Sequence, residues 1–257
     1  MKFCTVIENT LPKAYHSALM LLKEDGEISD CTDYNTTQLE CNMTMHIYDP
    51  LCEPMISKLF IGGPKELRQY ELEMLDGILD FEIDKGNWAY TYHNRMGNQI
   101  DFVIDELKRN PSSRRAVIDI RDNMVDMESN DPACLQHIQY FIRNNKLECD
   151  VLFRSNDACK ATFMNAFALI MLQKRIADRL DVEVGSYTHR ANSFHCYERD
   201  FDLLEGYYKR ITTSGDEEYD LCYNYTADWK ELMESYDKEI FDAVEILKNR
   251  GNNYDEK

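Results

Sequence analysis

From Leu39 to Ile47 the apolar residues Leu39, Cys41, Met43, Met45 and Ile47 alternate with Glu40, Asn42, Thr44 and His46. A period of two places alternate side chains on opposite faces, so this run is a strand with one buried face. The same pattern recurs at Leu147, Cys149, Val151 and Phe153, facing a second run from Cys134 to Ile142 across Asn144-Asn145. Two apolar runs joined by such a pair predict a hairpin. Helical spacing governs other stretches. Thr10-Leu11-Pro12 reads as a helix start, followed by a stripe of Ala14, Ala18, Leu21 and Leu22 that fades at Gly26. Gly62-Gly63-Pro64 opens a helix through about Leu79, with Leu67, Tyr70, Met74, Leu75 and Ile78 inward. Residues Trp88 to Arg95 are aromatic and extended in character, and a helix from about Asn98 to Arg109 stops at Asn110-Pro111. Ala116 to Arg121 reads as a strand, Asp122 to Asp131 as an acidic loop, and Phe163 to Leu180 as a buried helix with Gly185 ending the turn after it. Leu232, Met233, Tyr236, Ile240, Val244 and Leu247 trace a final amphipathic helix.

Helices and strands alternate without a repeat or a low-complexity linker, which predicts one α+β domain over residues 1–257. Its core spans about 10–210, and 216–257 form an acidic helical extension. At 257 residues the chain is long enough to bury one sizeable core. Charge narrows the possible partners: 29 basic against 47 acidic residues leave −18, a field that repels nucleic acid and anionic membrane. No apolar run approaches the ~20 residues of a membrane span, and Glu8, Pro12, Lys13 and His16 interrupt the N-terminal stretch, so a cytoplasmic location is expected. The nine cysteines are odd in number, scattered and free of C-x-x-C pairs, so neither a disulfide framework nor a metal site is expected.

Between Ser113 and Tyr197 polar groups stand at intervals too wide for one helix or hairpin to explain: Arg114-Arg115, Cys134, Arg154-Ser155-Asn156-Asp157, Asn165 and His195 with Tyr197. Taken one by one, most have a bland reading. An arginine pair before a strand is usually a solvated pair, a single cysteine a core thiol, and an aspartate in an acidic chain a turn residue. Together they suit a phosphorylated pyrimidine attacked by a thiolate. Arginines offer forked donors to a phosphate, and guanidinium groups near Cys134 would lower its pKa. Asn165 interrupts the run Phe163-Met164 and Ala166-Phe167, so its buried amide needs partners, and its paired donor and acceptor match a pyrimidine edge. His195 and Tyr197, two apart on a strand, point the same way.

In order and interval, Ser112-Ser113-Arg114-Arg115, Pro132-Ala133-Cys134, Arg154-Ser155-Asn156-Asp157, Asn165 and His195-Cys196-Tyr197 resemble the thymidylate synthase family, which includes the deoxypyrimidine hydroxymethylases. The resemblance runs from about Gly97 to Asp200 and is greatest to compact archaeal-type members. It implies an α+β fold whose mixed sheet, flanked by helices, packs on that of a second subunit in an obligate homodimer. By that resemblance Cys134 is the nucleophile adding to C6 of the base. Arg154 and Ser155 bind the phosphate, joined by Arg114 and Arg115 from the partner subunit. Asn165 reads the base, and His195 and Tyr197 hold the sugar hydroxyl. Asp157 faces the pterin and ordered water, Glu71 organises proton transfer, and Tyr90, with Tyr92 as its rival, lies near C5. The implied substrate is dUMP or a related pyrimidine deoxynucleotide. The implied donor is 5,10-methylene-tetrahydrofolate or a related methylene-tetrahydropterin, with no metal.

The implied reaction is C5 methylation of dUMP. Two alternatives stay open: 5-hydroxymethylation of a deoxypyrimidine monophosphate, and nucleotide binding without catalysis. The sequence also departs from the family. Asp30-Cys31-Thr32 stands where many members carry another phosphate-binding arginine, and Leu135 where a histidine follows the nucleophile. No tryptophan-bearing segment over the folate is recognisable, and Asn252 to Lys257 is not the usual apolar closing tail. The amphipathic C-terminal helix is a candidate substitute lid, through Tyr236 or Phe241.

Overall fold

Two long strands frame the protein, whose structure is a computed structural model describing residues 1–250. The chain runs through β1 (Phe3–Glu8), α1 (Leu11–Asp25), β2 (Glu27–Cys31), β3 (Thr36–Ile47), β4 (Ile56–Ser57), α2 (Pro64–Asp76), α3 (Phe81–Asp84), α4 (Tyr92–Met96) and α5 (Gln99–Arg109). It continues with β5 (Val117–Asp119), α6 (Asn123–Asp126), β6 (Leu135–Arg143), β7 (Lys146–Phe153), β8 (Asn156–Asp157), α7 (Thr162–Leu180) and β9 (Glu183–Tyr197). Then come α8 (Phe201–Thr213), α9 (Glu217–Leu221), β10 (Cys222–Tyr223), α10 (Lys230–Ser235) and α11 (Asp237–Asn249).

The main sheet has the order β1-β3-β9-β7-β6-β5 and is mixed, with β1 parallel to β3, β7 parallel to β9 and the remaining neighbours antiparallel. Strand β3 is long enough to share one edge between β2 and β1, and β9 does the same for β7 and β8. Their mutual register slips where Cys41 faces Phe194 but Met43 faces Ala191, so β9 carries one extra residue there. A one-residue bulge reverses which side chains face the core. Tyr187, His189 and Ala191 are buried before it, and Phe194 and Cys196 after it. His195 and Tyr197 are thereby turned together toward a cleft.

Helix α7 is apolar almost all round and is buried accordingly, against α2, α5, β7 and β9. Most expectations hold. Thr10 caps α1, with its side chain accepting from the Lys13 amide. The β6–β7 hairpin turns at Asn144 and Asn145, both at positive φ, as a two-residue hairpin turn requires. Others need correction. The helix expected to reach Leu79 ends at Gly77, whose φ of 62° suits the left-handed cap. The stretch 88–95 is not extended throughout: Thr91 caps the short helix α4. The acidic loop holds one helical turn, α6. Gly185 lies within β9, where a Cβ would stand 2.7 Å from the Glu148 carboxyl carbon, while Asp181 in left-handed conformation ends α7. Leu232 and Leu247 are largely exposed.

Among the described residues no helix is long and apolar enough to cross a membrane. The tail Asn252 to Lys257 lies outside the described residues.

Candidate active site

A cleft of about 820 Å³ opens where β7 and β9 end and β6 and α7 begin. Cys134, Arg154, Ser155, Asp157, Asn165, His195 and Tyr197, separated by up to 63 positions in the chain, all line it. Tyr70 from α2, Tyr92 from α4 and the turn Asp30 to Tyr34 complete the wall.

Cys134 precedes the first residue of β6, and two neighbours, Arg154 and Tyr92, fix it. Its carbonyl accepts from the Arg154 amide at 2.8 Å. The next amide, of Leu135, donates to the Tyr92 hydroxyl at 3.3 Å. The Arg154 side chain donates through Nε to the Ala133 carbonyl at 3.1 Å and through Nη2 to that of Pro132 at 2.6 Å. Arg154 thus both holds the loop before the thiol and brings a positive charge to it. Burial nevertheless pushes the Cys134 thiol up; Arg154 pulls it down and Asp131 adds to the rise. The guanidinium cluster expected to supply a thiolate is, among the described residues of this chain, Arg154 alone.

His195 is buried and neutral, burial holding its imidazole below the usual range. Its Nδ1 lies 3.3 Å from the Ser193 carbonyl and 3.5 Å from Ser155 Oγ, while Nε2 is buried without a partner among the described residues. With the proton on Nδ1, Nε2 is an acceptor suited to a ligand hydroxyl. Tyr197 packs edge-on against the His195 ring at 4.7 Å and against Tyr34 at 5.4 Å. Asp157 Oδ1 accepts the amides of Cys159 and Lys160 at 3.0 and 2.9 Å, so this carboxylate both caps the turn into α7 and lines the cleft.

A buried chain of hydrogen bonds sets this turn. Tyr187 is 3.0 Å from His189 Nδ1, and His189 Nε2 is 2.9 Å from Asn156 Oδ1, which also accepts from Thr162 Oγ1 at 2.9 Å. Sequence pattern named Asn156 only as part of its tetrapeptide, without a role, and did not single out His189. A histidine at a buried position of an alternating strand was the available signal.

Four expected residues lie elsewhere. Arg114 and Arg115 are exposed ahead of β5 and do not line the cleft of their own protomer. Glu71 lies on the far side of α2, buried against Arg68 at 2.9 Å. Tyr90 lines a second cavity of about 500 Å³ beside the cleft. Its rival Tyr92 lines both and touches the Cys134 loop. Tyr236 and Phe241 line neither space, so the C-terminal helix is no lid in this structure.

The sequence profile described as thymidylate synthase matches residues 65–217. The chain belongs to the thymidylate synthase family. A protein of Methanocaldococcus jannaschii named "Putative thymidylate synthase" is 33% identical over 208 residues, covering 77% of this chain and 93% of its own length. The thymidylate synthase of Bacillus licheniformis is 32% identical over 147 residues, 55% of this chain and 51% of its own. Thermostable thymidylate synthase A from Bacillus subtilis shares the fold, with a TM-score of 0.66 at 19% identity over 84% of this chain and 96% of its own.

The second cavity of this member of the family has a tryptophan in its lining. Trp88 stands in its wall with Tyr90, Met74 and Leu79, beside the polar groups of Glu73 and Asn87. Tyr70, Tyr92 and Asp131 are common to both spaces. Glu73 is one turn from Tyr70 on α2, and burial raises its carboxyl pKa against a 2.8 Å hydrogen bond from Gln69. Of the two carboxylates, α2 presents Glu73 to this second cavity, while Glu71 lines neither space. Helical spacing from Tyr70 was the signal available in the sequence.

Proposed function

We infer that the chain is a thymidylate synthase, methylating C5 of dUMP from a methylene-tetrahydropterin donor such as 5,10-methylene-tetrahydrofolate. One observation carries the reading: a half-buried thiol, an arginine, an imidazole acceptor and a buried amide meet in one cleft. That cleft shares a wall with an aromatic cavity of suitable size.

In this reading Cys134 adds to C6 of the base, saturating the 5,6-bond and making C5 nucleophilic. Arg154 and Ser155 bind the phosphate, His195 Nε2 and Tyr197 the sugar hydroxyl, and Asn165 the base edge. The residues of the second cavity fit a pterin. Trp88 and Tyr90 offer flat faces for stacking, and Glu73 and Asn87 offer polar partners to its ring edge. The bound pterin supplies the one-carbon unit and the hydride. Tyr92, close to Cys134, replaces Tyr90 as the tyrosine proposed near C5. Glu73, its pKa raised by burial, lines the second cavity one turn from Tyr70 and is the carboxyl proposed to handle protons there.

The same reading makes the protein a homodimer. Phe3 and Ile7 lie exposed on the open side of β1, and Arg114 and Arg115 are exposed and turned away from their own cleft. Across a sheet-to-sheet interface they would reach the partner's phosphate site, which Arg154 alone underfills.

The test is a chromatogram of dUMP incubated with the protein and methylene-tetrahydrofolate. Thymidylate with an oxidised pterin is the expected product. 5-Hydroxymethyl-dUMP with an unoxidised pterin overturns methylation. A parallel incubation with 5-fluoro-dUMP that leaves no adduct mass on Cys134 overturns catalysis.

A further inference from the structure

The Tyr70 hydroxyl is hydrogen-bonded to Asn165 Oδ1, across 95 positions of sequence and between two packed helices, α2 and α7. We propose that Tyr70 is a specificity-determining positioning residue: its hydroxyl locks the Asn165 amide with Oδ1 toward Tyr70 and Nδ2 toward the cleft, which selects a 4-oxo over a 4-amino pyrimidine. This rests on the reading of the cleft as a pyrimidine nucleotide site and adds what chooses the base.

An amide side chain reads a base edge only if it cannot flip. Asn165 is 5% exposed, and its side-chain nitrogen makes no hydrogen bond to the described residues. Tyr70 is half-buried, desolvation holds its phenol protonated, and Asn165 is its hydroxyl's one hydrogen-bond partner among the described residues. If the amide turned over, Nδ2 would donate to the phenolic oxygen and the phenolic proton would lose its one acceptor among the described residues. Leaving a half-buried donor without that partner is the costlier arrangement.

With the amide so held, Nδ2 donates to the O4 of a uracil ring, and the second lone pair of Oδ1 accepts N3–H. Cytosine reverses both atoms. Its 4-amino group meets Nδ2, donor against donor, and its N3 meets Oδ1, acceptor against acceptor. The tyrosine never needs to touch the base to exert this choice.

Calorimetric titration with dUMP and with dCMP, without pterin, tests the proposal independently of turnover. Wild type is expected to bind dUMP at least about tenfold more tightly than dCMP. Tyr70→Phe keeps the ring and removes the hydroxyl, and should bring the two affinities within about threefold. Asn165→Ala should collapse the ratio as well, and adding Tyr70→Phe to it should change nothing more. A Tyr70→Phe protein that keeps the wild-type ratio, or loses both nucleotides equally, overturns the assignment and makes Tyr70 a packing residue. If wild-type protein binds neither nucleotide, the nucleotide reading itself fails and this inference falls with it.

Discussion

Arg68 forks onto Asp237, with Nε 2.8 Å from Oδ1 and Nη2 3.0 Å from Oδ2. The same guanidinium donates to Glu71 at 2.9 Å, so one cation of α2 serves its own helix and α11. Beside it Leu72, Ile78 and Leu79 pack on Ile240 and Val244. The C-terminal helix, which lies beyond the segment matched to the family, thus braces from behind the helix that presents Tyr70 and Glu73 to the site.

The two ends of this bridge should differ in cost. Asp237→Asn removes a partly exposed charge and should lower stability by about 1 kcal/mol. Arg68→Gln strands Glu71, whose side chain is 10% exposed, and should cost on the order of 3 kcal/mol. Urea unfolding of both variants at neutral pH checks this. Equal losses would show that Glu71 does not depend on Arg68.

What could be read from the sequence follows from where each signal resides. Alternation and caps locate β3, the β6–β7 hairpin and α7, because local pattern and burial agree there. Asn165 stood out by interrupting an apolar run, whereas Cys134, Arg154 and His195 stood out only as a set, by the order and interval that resemble the family. Residues on α2 were not legible, because one helix shows several faces. Glu71 and Glu73 are equally acidic, and only the packing of α11 on one face and α7 on another tells them apart. Trp88 was overlooked because it sits in an irregular segment whose position depends on tertiary contacts.

Cross-subunit sharing of the phosphate site predicts complementation. Cys134→Ala and Arg115→Ala should each be inactive alone. A mixture refolded together should regain up to about a quarter of wild-type activity, since hybrid dimers hold one intact site. Activity in a fully monomeric wild-type protein, judged by light scattering, would rule the shared site out.

The electrostatics at Cys134 fix the direction of a pH profile. Only the thiolate reacts, and burial and Asp131 raise the thiol pKa while Arg154 lowers it. Alkylation of Cys134 by iodoacetamide, followed by peptide mapping, should therefore quicken with pH and have its midpoint above the usual ~8.5. Asp131→Asn should move the midpoint down and Arg154→Gln should move it up. A midpoint below about 7 in the unliganded protein would contradict this account of the site.

His189 makes the fold acid-sensitive in a defined window. It is fully buried, stacked on Phe153 at 4.8 Å, and bonded through both ring nitrogens to Tyr187 and Asn156. Burial pushes its pKa down to about 3. The unfolded chain takes up a proton at this residue below about pH 6.5 and the folded chain does not, so protons favour unfolding. The contribution is constant above that pH. It is lost on acidification at about 1.4 kcal/mol per pH unit, until the folded histidine itself titrates. His189→Gln keeps a polar partner for Asn156 but cannot titrate. At pH 8 it should be less stable than wild type by about 1–3 kcal/mol, from lost stacking and poorer hydrogen bonds. Because only wild type carries the acid penalty at this position, the gap should narrow and then reverse as the pH is lowered from 6.5 toward 4.5. Other titrating groups are common to both proteins and cancel in the comparison. A gap that stays constant across that range, measured by urea unfolding, would mean that His189 is not held neutral in the fold.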